Sequence, residues 1–283
     1  NIFAGGSGSG KSLVLMNIAL NWVLQGLSGV YISLELSEAL TSLRTDAMLS
    51  NMSTKDIRRD MDTTTMKVKM VGKKSGKYRV KALSAQSNIN DIRAYLKEVQ
   101  VQTGMPIDFV MVDYLDLLMP VSAKVSPNDL FVKDKYVSEE LRNLAKELDI
   151  LMVTASQLNR SAVEEIEFDH SHISGGISKI NTADNVFGIF TSRAMRERGR
   201  YQIQCMKSRS STGVGMKIDL DYNIDTMRMT DLPDDGTDNR PQGNIMDQIK
   251  SSPATGNTDE SKVTATVQSS KLKNMLAGLK ADG

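Results

Sequence analysis

The sequence predicts an α/β fold: a mostly parallel sheet with helices on both faces, followed by a flexible C-terminal tail. Three observations predict it. Short strand-like runs alternate with helix-length amphipathic stretches, the order a parallel sheet with crossover helices requires. The run Phe109-Val110-Met111-Val112 is apolar without alternation, as a strand buried on both faces would be. Hydrophobic residues are 40% of 283, enough to bury the core of one large domain, or of a domain plus a tail.

The elements follow in order. Ile2–Ala4 reads as the end of a buried strand, and residues 5–10 as a loop. Lys11–Leu24 reads as a helix, with Leu13, Leu15, Ile18, Ala19 and Val23 at helical spacing and Gly26 and Gly29 bracketing its end. Val30–Leu34 is a second strand. Ser37–Asn51 is a helix with Ser37 as N-cap. Residues 53–77 are polar and give no clear period. Tyr78–Leu83 alternates like a strand, Asn90–Thr103 reads as a helix, and Phe109–Asp113 as a strand ending in an acid. Tyr136–Leu148 is a helix with Leu141, Leu144 and Leu148 on one face. Ile150–Ala155, Asn185–Phe190 and Tyr201–Met206 read as further strands, closed by an antiparallel pair, Met216–Leu220 with Thr226–Met229. After Leu232 large apolar residues become scarce. The expected division is therefore a domain over 1–232 and a flexible tail over 233–283, with a short amphipathic helix over Ser270–Leu279.

The bulk numbers exclude several classes. A formal charge of +1 gives no global basic field, so any nucleic acid must be held by local groups or by enclosure. Cys205 is the single cysteine, which rules out an internal disulfide and fits a reducing cytoplasm. No run of about 18 apolar residues predicts a membrane span, and no secretory signal opens the sequence. Asn1 in place of an initiator Met, close to the first motif, predicts that further sequence precedes it. His170 and His172 offer too few ligands for zinc.

The chemistry is concentrated at strand ends. Gly5-Gly6-Ser7-Gly8-Ser9-Gly10-Lys11-Ser12 fits GxxxxGK[ST] in full, between a strand and a helix. Such a loop turns backbone N–H groups toward phosphates, sends Lys11 to the β- and γ-phosphates of ATP and offers the Ser12 hydroxyl to Mg²⁺. The helix N-terminus behind it favours the anion. Asp113, closing a buried strand, is placed to hold the Mg²⁺ water shell beside Ser12. Glu35 follows the strand Val30–Leu34; in a parallel sheet that end faces the ligand, so Glu35 can orient water at the γ-phosphate. Gln157 follows Leu151–Ala155, either as a γ-phosphate contact or as a turn residue. Lys207 and Arg209 share one side of an extended segment, either meeting one phosphate group or standing as exposed basic residues.

Together these residues resemble the motor domain of the DnaB family of replicative helicases, including its phage members. The resemblance spans Asn1 to about Leu232 and rests on several short strings in order. They are Gly5–Ser12, Tyr31-Ile32-Ser33-Leu34-Glu35-Leu36-Ser37, Val112-Asp113-Tyr114-Leu115, Leu144-Ala145-Lys146-Glu147-Leu148, Ala155-Ser156-Gln157-Leu158-Asn159-Arg160 and Lys207-Ser208-Arg209. It implies a RecA-like P-loop core, a hexameric ring running on single-stranded DNA, and a primase and a loader as partners. It implies that Glu35 is the catalytic base, that Asp113 supports the metal and that Gln157 couples the γ-phosphate to DNA-facing loops. Arg209 resembles an arginine finger, with Lys207 beside it, reaching the neighbouring subunit's nucleotide.

The sequence departs from the bacterial pattern at Asp116, where Gln is usual, a change expected to leave the core chemistry alone. It also lacks the bacterial Arg-Glu-Ser-Gly segment near residues 170–179. Contacts to DNA phosphates there are expected from the backbone of Ser174, Gly175 and Gly176 and from Lys179. Two rival readings share the motifs: a RecA/RadA-type recombinase or KaiC-like ATPase, and a nucleotide-gated loading module that recruits partners through its tail.

Overall fold

The computed structural model describes residues 1–121, 125, 129–158 and 177–232 of the chain. The chain divides into two units, Asn1–Pro233 and Asp234–Gly283. The second, with the helix expected over Ser270–Leu279, lies outside the described residues.

Among the described residues nine strands form one sheet in the order β3-β2-β4-β5-β1-β6-β7-β8-β9. They are β1 (Ile2–Gly5), β2 (Gly29–Ser33), β3 (Tyr78–Ala82), β4 (Phe109–Asp113), β5 (Leu151–Gln157), β6 (Asn185–Phe190), β7 (Arg200–Ser208), β8 (Lys217–Tyr222) and β9 (Met229–Asp231). Pairs from β3 to β6 are parallel, and β7, β8 and β9 add an antiparallel edge. Helices α1 (Lys11–Leu24), α2 (Glu38–Ser50), α3 (Thr54–Arg59), α4 (Met61–Gly72), α5 (Ile89–Thr103), α6 (Leu130–Leu148), α7 (Ile177–Thr182) and α8 (Arg193–Glu197) complete the unit. None of the described helices is long and apolar enough to cross a membrane.

Successive strand side chains face opposite ways, and here both ways are covered. Val30 and Ile32 of β2 and Val110 and Val112 of β4 pack with Ile92 and Leu96 of α5 and Leu141 and Leu144 of α6. The intervening Tyr31, Phe109 and Met111 pack on the other face with Leu15, Met16 and Leu20 of α1 and Met48 of α2. A smaller cluster joins Ile2, Ala4 and Val186 to Ile180 and Ala183 at α7. Each buried Val, Leu, Ile, Phe or Met among them contributes about 1.5–3 kcal/mol by leaving water.

The expected elements are present with shifted ends, and the differences have local causes. Residues 53–77 hold α3 and α4, which bury only Ile57 and Thr64 respectively and leave Met61, Met66 and Met70 exposed, so no apolar period marks them. Helix α6 starts at Leu130 instead of Tyr136, behind Asp129, whose side chain accepts from the Val132 N–H; Phe131 in its first turn faces solvent. The strand expected over Thr226–Met229 is corrected to Met229–Asp231. Asn223 Oδ1 accepts from the N–H groups of Asp225 and Thr226, and Met227 sits at φ 58°, so that segment is a turn.

Helix α5 illustrates how these ends are fixed. Asn88 caps it, and Asp91 answers from the third position with a bond from the Asn88 N–H at 2.8 Å. Asn88→Ala should destabilise the domain by about 1 kcal/mol, lowering Tm by roughly 2–4 °C for a unit of this size, read by thermal unfolding.

Candidate functional site

Because β1, β2, β4 and β5 are parallel, their C-terminal ends meet at one edge of the sheet. Gly5 lies opposite Gln157, and Ser33 opposite Asp113. The loop Gly5–Ser12 leaves β1 at this edge and enters α1. Gly8 and Gly10 adopt φ of 71° and 84°, which side chains disfavour. At Gly10 the space is closed as well, since a Cβ there would stand 2.8 Å from the Tyr201 hydroxyl. No side chain caps the N-terminus of α1. Its first N–H groups, lacking acceptors within the helix, therefore point at whatever anion the loop receives.

Lys11 folds back over the loop and donates to the carbonyls of Gly5 and Gly6 at 3.2 and 3.0 Å. Its ammonium also lies 5.7 Å from the centre of the Tyr114 ring. Burial pushes its pKa down, opposed by the carboxylates of Asp116, Glu35 and Asp113. All three acids therefore act electrostatically on one lysine at the end of the sheet.

Asp113 is fully buried. Its Oδ2 accepts from the Tyr31 hydroxyl at 2.7 Å. Burial pushes this carboxyl above its usual range, while the hydroxyls of Tyr31 and Ser12 draw it down. Oδ1 is buried with no hydrogen-bond partner. A buried carboxylate oxygen left open beside a hydroxyl is a donor set suited to a hydrated hard cation such as Mg²⁺. Glu35, in the turn after β2, is exposed, and its charge is felt at Lys11, Asp113 and Tyr114.

Gln157 ends β5 next to the loop, and its N–H donates to Asp116 Oδ2 at 3.1 Å. The sequence reading gave Asp116 no role. The structure places it at the centre of a buried polar cluster, where its other oxygen, Oδ1, pairs with the Lys179 ammonium. Lys179 is fully buried, 2.7 Å from Asp134 and 3.1 Å from the Ser156 hydroxyl. This corrects the expectation that Lys179 touches DNA phosphates: it is buried inside the domain against two carboxylates and a hydroxyl. Ser174, Gly175 and Gly176, and with them His170 and His172, lie outside the described residues.

Lys207 and Arg209 are not brought to this loop. Strand β7 is antiparallel to β6, so Lys207 lies opposite Val186, which lies opposite Ile2. That is three residues below Gly5, roughly 10 Å at the usual strand rise. Lys207 donates to the carbonyls of Ile180, Asn181 and Ala183 at the end of α7. Arg209 bonds Asp184 Oδ1 at 2.7 Å and the Asn181 carbonyl at 2.5 Å. Partial burial would raise the Asp184 carboxyl, but Arg142 and Arg209 outweigh it and hold the pKa below the usual range.

The arginine that does reach this chain's own loop was not anticipated. Arg196 of α8 donates to the Gly8 carbonyl at 2.8 Å. Nothing in its local sequence distinguishes it, since the contact spans 188 residues. Tyr31 was read only as an apolar strand residue. Its hydroxyl was the available signal, because a buried phenol needs a partner.

The DnaB-like helicase C terminal domain model matches residues 1–231. A DnaB-like replicative helicase of Enterobacteria phage T4 is 25% identical over 219 residues, 74% of this chain and 45% of the relative. A probable plasmid replicative DNA helicase of Chlamydia psittaci is 31% identical over 156 residues, 53% of this chain and 33% of the relative. The chain thus spans less than half the length of these curated relatives. Two solved structures share the fold at 19% identity, each covering 82% of this chain. One is a DnaB-like replicative helicase described with its interactions with primase (TM-score 0.67, 57% of that chain). The other is an ATPase domain (TM-score 0.66, 84% of that chain). A sheet that gathers the loop Gly5–Ser12 and strand-end acids at one edge, matched by this family along 1–231, places the chain in the DnaB-like helicase C-terminal domain family.

Proposed function

We propose that this domain is an ATP-driven DNA motor that works in a homo-hexameric ring on single-stranded DNA. The observation that carries the reading is the split of charged groups between two sheet edges. Gly5–Ser12, Glu35, Asp113 and Gln157 gather at one edge, while Lys207 and Arg209 lie at the other. A complete hydrolytic site then needs the second edge of a neighbouring copy.

The roles follow from placement. The loop N–H groups and Lys11 bind the triphosphate of ATP. Ser12 and Asp113 would hold Mg²⁺, which screens phosphate charge when bound. Glu35, exposed beside Lys11, takes the proton of the attacking water. Gln157, one strand from the loop, contacts the γ-phosphate. Arg209 of one copy stabilises charge on the phosphate held by the next, with Lys207 beside it. Partners of the whole protein are proposed as single-stranded DNA, a primase and a loader. The solved DnaB-like helicase described with primase supports one of these by likeness of fold.

The reading is tested by steady-state ATP hydrolysis with and without single-stranded DNA over a range of protein concentrations. Strong stimulation by DNA with a steep concentration dependence is expected. A slow rate indifferent to both would replace the motor with a nucleotide switch. Lys11→Ala should abolish ATP binding measured by calorimetry; tight binding by this variant would remove the loop from the site. Arg209→Ala should keep ATP binding yet lose about 10³–10⁵ in hydrolysis rate. When mixed with unaltered protein it should depress activity more than in proportion. Simple dilution of the rate would show that Arg209 does not act across subunits.

A further inference from the structure

Asp116 has two oxygens, and they are bound to different parts of the chain. Oδ2 accepts the backbone N–H of Gln157 at 3.1 Å. Oδ1 takes the Lys179 ammonium and lies 3.5 Å from the Ser156 hydroxyl. Ser156 and Gln157 are the last two residues of β5, whereas Lys179 belongs to α7. One carboxylate therefore joins a strand end at the phosphate-binding edge to a helix distant in sequence.

The joint is built to stay put. Lys179 and Ser156 are fully buried and Asp134 nearly so. The ammonium is shared between Asp116 and Asp134, the latter at 2.7 Å. The backbone of Asp116 is held in turn, since Lys133 of α6 donates to its carbonyl. Moving Asp116 would take one of two carboxylates from a buried ammonium, which is disfavoured. What this rigidity fixes is the backbone of Gln157, and so the origin of its side chain. A displacement of about 1 Å at a reacting group can cost on the order of 10²-fold in rate.

We propose that Asp116 is a positioning residue for hydrolysis: anchored by Lys179, it sets where Gln157 stands relative to the γ-phosphate held by Gly5–Ser12. The inference rests on the proposed role of Gln157. It makes Asp116 and Lys179 a single functional unit that acts through Gln157 and touches no substrate.

The experiment is a double-mutant cycle on the full chain, with kcat and KM for ATP normalised to ATP-binding sites. The variants are Asp116→Asn, Gln157→Ala and both together. Asp116→Asn should lower kcat by about ten-fold and change KM by less than about two-fold. On the Gln157→Ala background it should have no further effect on kcat, because the route through Gln157 is gone. Should Asp116→Asn fail to fold, Asp116→Glu keeps the charge beside Lys179 but lengthens the side chain that meets the Gln157 N–H, and it carries the same expectation. An undiminished kcat for the folded variant overturns the proposal. So does a multiplicative loss with Gln157→Ala, or a loss confined to KM, which would place the effect at Lys11. If Gln157→Ala itself hydrolyses ATP normally, the role given to Gln157 fails first and the proposal falls with it. A normal-size effect of Gln157→Ala with independent Asp116→Asn overturns the positioning role alone.

Discussion

The constraint on which the rest depends is the direction of the strands. From β3 to β6 the sheet is parallel, so chain polarity alone decides that every one of these strands ends at the same edge. Burial of both faces makes this arrangement stable, because the crossover helices that parallel pairing demands also supply the cover. Gly5, Ser33, Asp113 and Gln157 are neighbours for that reason, although 152 residues separate the first from the last. The reversal at β7 is equally consequential, since it sends Lys207 and Arg209 back toward the opposite edge.

Within the gathered edge, two carboxylates close together in sequence have different environments. Asp113 keeps one buried oxygen on a tyrosine hydroxyl and the other open, which leaves it able to receive a cation's water shell. Asp116, three residues on, has both oxygens engaged, one on a backbone N–H and one on a buried ammonium. Buried ion pairs contribute little net stability, because desolvation offsets their attraction. The Asp116–Lys179–Asp134 cluster is better understood as a device that fixes geometry. Burial pushes the Asp134 carboxyl up while Lys179 pulls it down, so the cluster's charges hold one another in place.

What could be read from the sequence divides along physical lines. The strands β1, β2, β4 and β6 and the helices α1, α2 and α5 were legible because apolar periods and caps report burial directly. The loop Gly5–Ser12 and the strand-end positions of Glu35, Asp113 and Gln157 were legible because glycines, and acids after apolar runs, mark places in a parallel sheet. Helices α3 and α4 were not, because they bury one residue apiece. Asp116 and Lys179 were misjudged for a different reason. A pattern along the chain reports which face or end a residue occupies, and it does not report a partner 63 residues away. Lys179 reads as a loop cation from its glycine-rich neighbours, while the structure buries it and pairs it with Asp116 and Asp134 on other elements.

Arg196 and Arg209 show why that limit matters for function. Both are basic residues on or beside the β6–β7 hairpin, and composition cannot rank them. The register can. Arg196 sits at the turn end of the hairpin and bonds the loop of its own chain at Gly8. Arg209 follows the far end of β7 and bonds Asp184, on the level of the strand starts. That guanidinium is tied to Asp184 at the strand-start level, away from the loop of its own chain. Under the proposed function its work must be done on another copy. Within that proposal, the antiparallel turn is what ties hydrolysis to assembly.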